Sequence, residues 1–436
     1  MRLTRVKYRN FRGFEEKEFS LDSPLVLFVG DNAKGKTSVL KGIALALSSW
    51  TSAFPEIKLL KYTLDDVRKV ADREGSEIPT FNPCSVSNVQ CWMKTDRLPF
   101  LMPDFFDWVR PYGRHSYMNK LKQIAKEYLG VIEEGGDVSL PYFGFYGTGR
   151  LWHVDKRWMA LRGKDFSRDS RYKAYQNALD ASSSDEMLRK WIAKLSHAEF
   201  IEWKKSSVLA SVWTCLKKII PDVTNVYWNP KEDDLVFEFK NGKSLPLSNL
   251  SEGQRIVASL VTDLCIRISL LNPHLNGEAR KLTEGVVLID EIDLHLHPKW
   301  QKTIVPNLKD LFPNIQFILT SHSPFIIQSL EGVDGARIIN LDDDENPYDF
   351  TRRNSRSIED IAENVMNVSL PQRSEKYLAM KSAAREYFEL LRNASASEEQ
   401  KNLARNKLRE LTIKYGSDNP AYAAYLESKA ESAGVV

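Results

Sequence analysis

Residues 30–37 read GDNAKGKT, a match to GxxxxGK[ST], directly after the apolar run PLVLFVG and directly before a segment with helical period. Glycines let the backbone curl so that successive N–H groups, with a helix N-terminus behind them, face one anion. The Lys36 ammonium neutralises the outer phosphates of a nucleotide, and the Thr37 hydroxyl is an oxygen ligand suited to Mg²⁺. At average residue usage the four fixed positions would match by chance in roughly 1–2% of chains this long. A buried strand before the loop and a helix behind it call for an α/β architecture in which the strand delivers the loop to one sheet edge.

Three further segments supply chemistry for such an edge. VVLIDEID at 286–293 is an apolar strand tipped with carboxylates, which puts Asp290 at the metal's water shell and Glu291 in place to polarise an attacking water. LSEGQR at 250–255 is a small-residue turn opening a helix, so the Ser251 hydroxyl, the Gly253 N–H and the helix dipole form a second anion site. The competing account of that turn is an N-terminal capping box made by Ser251 and Gln254. TSHSP at 320–324 ends another buried strand and brings His322 to the edge that holds Glu291.

The remaining text sets the frame. With 436 residues and ordinary hydrophobic (42%) and charged (27%) fractions, the chain forms two or three structural units and is not disordered. A net charge of +3 excludes a globally basic nucleic-acid coat. Residues 150–173 are locally basic, with Trp152, Trp158 and Tyr172 interleaved, and could track a nucleic acid or form a lid with its aromatics packed inside. Cys84, Cys91, Cys215 and Cys265 form no CxxC, which points to reduced thiols. No apolar run approaches the ~18 residues of a membrane span and no signal peptide opens the chain, so the expected location is cytoplasmic, with no membrane partner. Strands are expected at 2–9, 24–30, 87–93 and 139–149, with helices at 36–49, 120–129, 171–195 and 198–219. A hairpin turns at Asn241-Gly242. From about 354, Tyr377, Met380, Ala384, Tyr387 and Leu391, then Ala404, Leu408, Leu411 and Tyr415, recur at helical spacing.

The order of phosphate loop, LSEGQR, LIDEIDLHLHP and TSHSP, with NFRGF at 10–14, resembles the ABC-type ATPase heads of the SMC, RecF and OLD group over residues 1–340. The resemblance implies an α/β P-loop head with a mixed sheet flanked by helices, a helical insertion and a C-terminal helical region. The segments are 1–160, 161–243, 244–345 and 346–436. It implies Mg²⁺ and ATP as cofactors, with Gly30, Asp31, Asn32, Ala33, Lys34, Gly35, Lys36, Thr37 and Ser38 around the phosphates. Thr37 and Asp290 hold the metal, Glu291 is the base, and His322 senses the γ-phosphate. Ser251, Gly253 and Gln254 act in trans, and Asp293 crosses the interface of a head-to-head dimer or higher oligomer. The glutamine expected between loop and signature is not readable; Gln90 and Gln123 are candidates.

YGTGRLW at 146–152 and SDNPAYAAYLESK at 417–429 are similar to the ATPase subunits of Septu anti-phage defence systems, which work beside a separate HNH nuclease; related ATPases accompany some retrons. This resemblance implies an ATPase that controls a nuclease and cuts nothing itself, with a nucleic acid as a further partner. The alternative is an OLD- or RecF-like repair or clamp ATPase without a nuclease. A Toprim nuclease is disfavoured, because the residues after His322 carry amphipathic helices; the acids at 342–345 read as a solvated turn. His295 and His297 lack co-ligands and read as interface residues.

Overall fold

The computed structural model describes residues 1–72, 80–95, 105–113, 120–149, 168–180, 185–203 and 205–342, with scattered positions between 358 and 410. The chain divides into two compact units, Met1–Ser355 and Arg356–Val436. The first opens with β1 (Arg2–Phe11), β2 (Phe14–Ser20), β3 (Leu25–Val29), α1 (Lys36–Thr51), β4 (Lys69–Asp72), β5 (Thr80–Pro83), β6 (Asn88–Lys94) and β7 (Phe105–Pro111). Next come α2 (Lys120–Glu133), β8 (Tyr142–Tyr146), α3 (Asp185–Glu202), α4 (Ser207–Ile219), β9 (Val223–Asn229), β10 (Asp234–Phe239) and β11 (Ser244–Pro246). Then follow α5 (Glu252–Leu271), α6 (Ala279–Leu282), β12 (Gly285–Ile289), α7 (Pro298–Leu311), β13 (Ile315–Thr320), α8 (Pro324–Ser329) and β14 (Ala336–Asn340).

Every residue of β3, β8, β12 and β13 is buried, as strands covered on both faces require. They form a parallel sheet in the order β14-β3-β13-β12-β8. Val287 stands between Phe317 and Gly144, and Phe317 in turn opposes Leu25. Because the strands share one direction, their C-terminal ends share one edge, where ligands of such sheets gather. That edge receives residues 30–37 from β3, Asp290 and Glu291 from β12, Ser321 and His322 from β13, and Asp342 from β14.

An antiparallel sheet, β2-β1-β6-β7, packs on α1. Tyr8 Oη donates to the Val39 carbonyl at 2.7 Å and Trp108 Nε1 to that of Ala46 at 3.0 Å. Helix α1 is buried nearly all round because it also faces the parallel sheet, with the Trp50 ring edge-on to Phe143. Burying each of Leu40, Ile43 and Leu47 contributes roughly 2 kcal/mol. The sheets are tied by Gln316 of β13, buried at 2% exposure. Its Oε1 accepts from Leu3 N, and its Nε2 donates to the carbonyls of Leu3, Leu21 and Ser23.

The expected α/β head is present, with its strands sorted into separate parallel and antiparallel sheets. β4 and β5, where the sequence marks no element, form a two-stranded ribbon whose residues are mostly exposed and therefore leave no apolar alternation to read. The helix expected at 171–195 is a 3₁₀ segment, Arg168–Tyr175, followed by α3; buried Tyr172, Ala174 and Tyr175 imitate a helical stripe. Of the basic stretch, residues 150–167, Trp152 and Trp158 among them, lie outside the described residues. Arg171 and Tyr172 are core: Arg171 donates to the carbonyls of Leu271 and Val138, and the Tyr172 ring stacks on Phe54 at 5.6 Å. All four cysteines are free, with Cys215 and Cys265 in buried contact at 3.3 Å between sulfurs. No helix among the described residues is long and apolar enough to cross a membrane.

In the second unit Tyr387 is buried and Lys407 pairs with Glu386 at 2.9 Å. The other residues of the helical period and the tail at 417–429 lie outside the described residues.

Candidate nucleotide site

The phosphate loop is shaped by two glycines in the left-handed half of backbone space, Gly30 at φ 141° and Gly35 at φ 95°. Gly35 N-caps α1, and a Cβ there would come within 2.7 Å of the Phe14 ring, so NFRGF supplies an aromatic wall against the loop. Asp31, Asn32, Ala33 and Lys34 form its exposed rim, while Lys36 is buried at the base and Ser38 continues α1. Lys36 Nζ donates to the carbonyls of Gly30 and Asp31 at 2.7 and 2.8 Å. Burial pulls its pKa below the usual lysine value, opposed by the carboxylates of Asp342, Glu291, Asp290 and Asp31.

Opposite the loop, Asp290 is nearly fully buried and both its oxygens are engaged. Oδ2 accepts from Thr37 Oγ1 at 2.7 Å and Oδ1 from Thr320 Oγ1 at 2.6 Å. Thr320 Oγ1 also accepts the Glu291 N–H at 2.7 Å, and Asp290 N donates to the Tyr146 carbonyl at 2.8 Å. Glu291 has φ 46°, a conformation a non-glycine residue keeps only when its surroundings impose it. The structure therefore unites Lys36, Thr37, Asp290 and Glu291 as the sequence required, and adds Thr320 and Tyr146.

The donor set fits Mg²⁺ and a nucleotide. Thr37 and Asp290 offer hard oxygen atoms, already within hydrogen-bond distance of one another. Among the described residues no group of three or more His, Cys, Asp or Glu side chains could hold a metal by itself. An ion held here would complete its shell with phosphate oxygens and water, the usual habit of Mg²⁺.

Of the two accounts of the signature turn, the capping box is the one formed in the structure. Ser251 and Gln254 form the capping box: Ser251 N donates to Gln254 Oε1 at 2.9 Å, and Ser251 Oγ accepts from Gln254 N. Gly253 lies against the loop after β12, where a Cβ would meet the His295 carbonyl at 2.4 Å. The Glu252 carboxylate stands 3.6 Å from His295 Nδ1. In that loop Asp293 accepts from Ser321 Oγ at 2.6 Å. His297 Nδ1 accepts from Lys299 N and caps α7. His322 follows β13 between Ser321 and Ser323, both hydrogen-bonded, Ser323 to Gln301 at 2.5 Å.

Neither glutamine candidate bonds to the loop: Gln90 Nε2 donates to Asp107, and Gln123 is exposed on α2. The expectation of a solvated acidic turn at 342–345 fails at its first member. Asp342 accepts from Asp31 N at 2.7 Å and pairs with Lys34, while residues 343–345 lie outside the described residues. The signal that could have found it was its place just past an apolar strand, ARIIN, that joins the core sheet.

Two family models match the chain: "AAA domain, putative AbiEii toxin, Type IV TA system" over residues 170–328, and "AAA domain" over residues 5–82. The chain is 25% identical over 401 residues to the retron Ec83 probable ATPase of Escherichia coli, a match covering 76% of this chain and 70% of that one. It is 35% identical over 166 residues to the Septu protein PtuA of Bacillus mycoides, covering 38% of this chain and 21% of the relative. Among solved structures, the Smc head bound to the C-winged helix domain of ScpA matches at a TM-score of 0.46 and 14% identity, over 78% of this chain and 94% of that one.

Proposed function

We propose that this chain, an ABC-type ATPase of the SMC, RecF and OLD group that resembles PtuA, is the ATP-gated subunit of an anti-phage defence complex. It binds Mg²⁺ and ATP at residues 30–38 and hydrolyses ATP with Glu291 as general base. It dimerises head to head, so that Ser251, Gly253 and Gln254 of one copy complete the γ-phosphate site of the other, with Asp293 crossing between them and His322 sensing that phosphate. The ATP state of the dimer controls a PtuB-like HNH nuclease subunit, with a nucleic acid as the object of the complex.

The observation that carries the ATPase reading is the grip of Thr37 and Thr320 on Asp290 beside Lys36 and Glu291. Mg²⁺ and ATP supply the charge compensation and the bond to be broken; the chain's own part is to orient Thr37 and Asp290 and to hold Glu291 where it can take a proton from water. The dimer reading is supported by the signature turn, whose Gly253 lies against the loop after β12 and whose Ser251 is exposed.

Mixing two inactive variants tests the arrangement. Lys36→Ala removes one chain's loop and Ser251→Arg the other chain's signature, so each alone should hydrolyse no ATP. A mixed dimer retains one complete site, and the mixture should regain activity. A monomeric Ser251→Arg chain turning over ATP at the wild-type rate would refute the composite site.

A further inference from the structure

We infer that Asp342 is a positioning residue of the nucleotide site, bracing the first turn of the phosphate loop from outside; this rests on the reading of that loop as the place where ATP binds. Asp342 is fixed by the sheet. Leu341 N donates to the Val29 carbonyl at 2.9 Å, extending the pairing of β14 with β3, and Asp342 N donates to Asn340 Oδ1 at 3.0 Å. The side chain is 11% exposed. Its Oδ2 accepts the Asp31 N–H, and the Lys34 ammonium stands 3.2 Å from Oδ1, which has no other partner among the described residues.

The same carboxylate explains why residue 30 is glycine. A Cβ there would lie 3.1 Å from Asp342 Oδ2 and 3.2 Å from Leu341 Cβ, at a φ that already disfavours a side chain. The carboxylate thus lies beside the start of the loop, whereas Lys36 Nζ is held inside it by the Gly30 and Asp31 carbonyls. Asp342 is also the foremost negative charge opposing the effect of burial on Lys36. A rigid strand end that holds one loop amide and one loop lysine lowers the ordering cost of binding a phosphate.

The test compares Asp342→Asn, which keeps an acceptor for the Asp31 N–H, with Asp342→Leu, which has none. Two quantities are read: the Kd for Mg·ATP and the amide exchange of the loop without nucleotide. The leucine variant should bind ATP about tenfold more weakly and exchange its loop amides faster, while kcat at saturation stays within about twofold, because the brace acts before chemistry. The asparagine variant should stay close to wild type in both. Unchanged or tighter ATP binding by Asp342→Leu overturns the brace, as does equal impairment of the two variants. Failure of the wild-type chain to bind Mg·ATP would instead sink the nucleotide reading, with the exchange comparison still deciding whether Asp342 orders the loop.

Discussion

Asp290 has each carboxylate oxygen held by a different threonine, and the two grips differ in meaning. Thr37 belongs to the loop and offers the same hydroxyl that would face Mg²⁺, so its bond to Asp290 Oδ2 is one a metal would replace. Thr320 lies beneath, fully buried, and its hydroxyl donates to Asp290 Oδ1 while accepting the Glu291 N–H. One side chain therefore sets the angle of Asp290, the proposed metal-holding acid, and the backbone at Glu291, the proposed general base. Thr320→Val preserves shape and deletes both bonds, taking this hydroxyl away from Asp290 Oδ1 and from the Glu291 N–H. Turnover should fall about tenfold or more while the Kd for Mg·ATP changes by less than about threefold, as expected when an interaction matters in the transition state. Glu291→Gln removes the base itself, and general-base loss of roughly 10²–10⁴ in kcat with ATP binding retained is the expected result. Single-turnover hydrolysis paired with nucleotide titration separates the two effects. An Asp342-like pattern for Thr320→Val, with affinity lost and kcat kept, would mean that Thr320 shapes the loop and not the chemistry.

At the scale of elements, β13 illustrates what pattern can and cannot convey. Its run IQFILT reads as a buried strand because five of its six residues are apolar or small, and the polar Gln316 looks like an imperfection. In the structure Gln316 is the tie between the parallel sheet and the start of the antiparallel one, making four hydrogen bonds with backbone groups of Leu3, Leu21 and Ser23. Replacing it by leucine takes this partner from the Leu3 N–H and from the Leu3 and Ser23 carbonyls, while the Leu21 carbonyl keeps the Ser23 N–H, and should cost about 2–5 kcal/mol, seen as a lower urea midpoint with the slope unchanged. A midpoint equal to wild type would show that water reaches this seam. That the candidate site gathers at one sheet edge was legible because its parts are local: GDNAKGKT, LIDEID and TSHSP each lie within a few residues of a strand end. Thr320, Tyr146, Gln316 and Asp342 were not, because each acts on a partner far away in sequence, and only the strand order brings them together. The same holds for the capping box, whose sequence suits both a helix start and an anion site; the structure has the box formed and gives Gly253 a second reason to be glycine, the passage of the His295 carbonyl.

For the whole molecule, the residues gathered at the candidate nucleotide site, from Gly30 to Asp342, belong to the first unit, and the chain adds a second unit, Arg356–Val436. A second unit of this kind can serve an assembly, and its sequence suits that use: Tyr422, Tyr425 and Leu426 are side chains of the large kind enriched where proteins meet. The proposal that this chain controls an HNH nuclease and cuts nothing alone makes the tail the first place to look for the contact. A chain ending before Ser417 should keep its ATP turnover within about twofold, because no residue of the candidate site falls in the segment removed, and should lose co-purification of the nuclease together with phage protection. Loss of turnover in the truncated chain would mean that the tail supports the head, and the docking reading would fall. Retained capture of the nuclease would move the contact to another surface. The division of labour has its own test, the full-length chain purified alone and given duplex DNA with Mg²⁺ or Mn²⁺. It should leave the DNA intact, because several acids and histidines at this edge already have partners within the chain: Asp290 in Thr37 and Thr320, Asp293 in Ser321, His297 at the start of α7. Cleavage that survives Glu291→Gln would place a nuclease centre elsewhere in this chain, and cleavage abolished by it would make the head itself the cutting site; either result would end the two-subunit account.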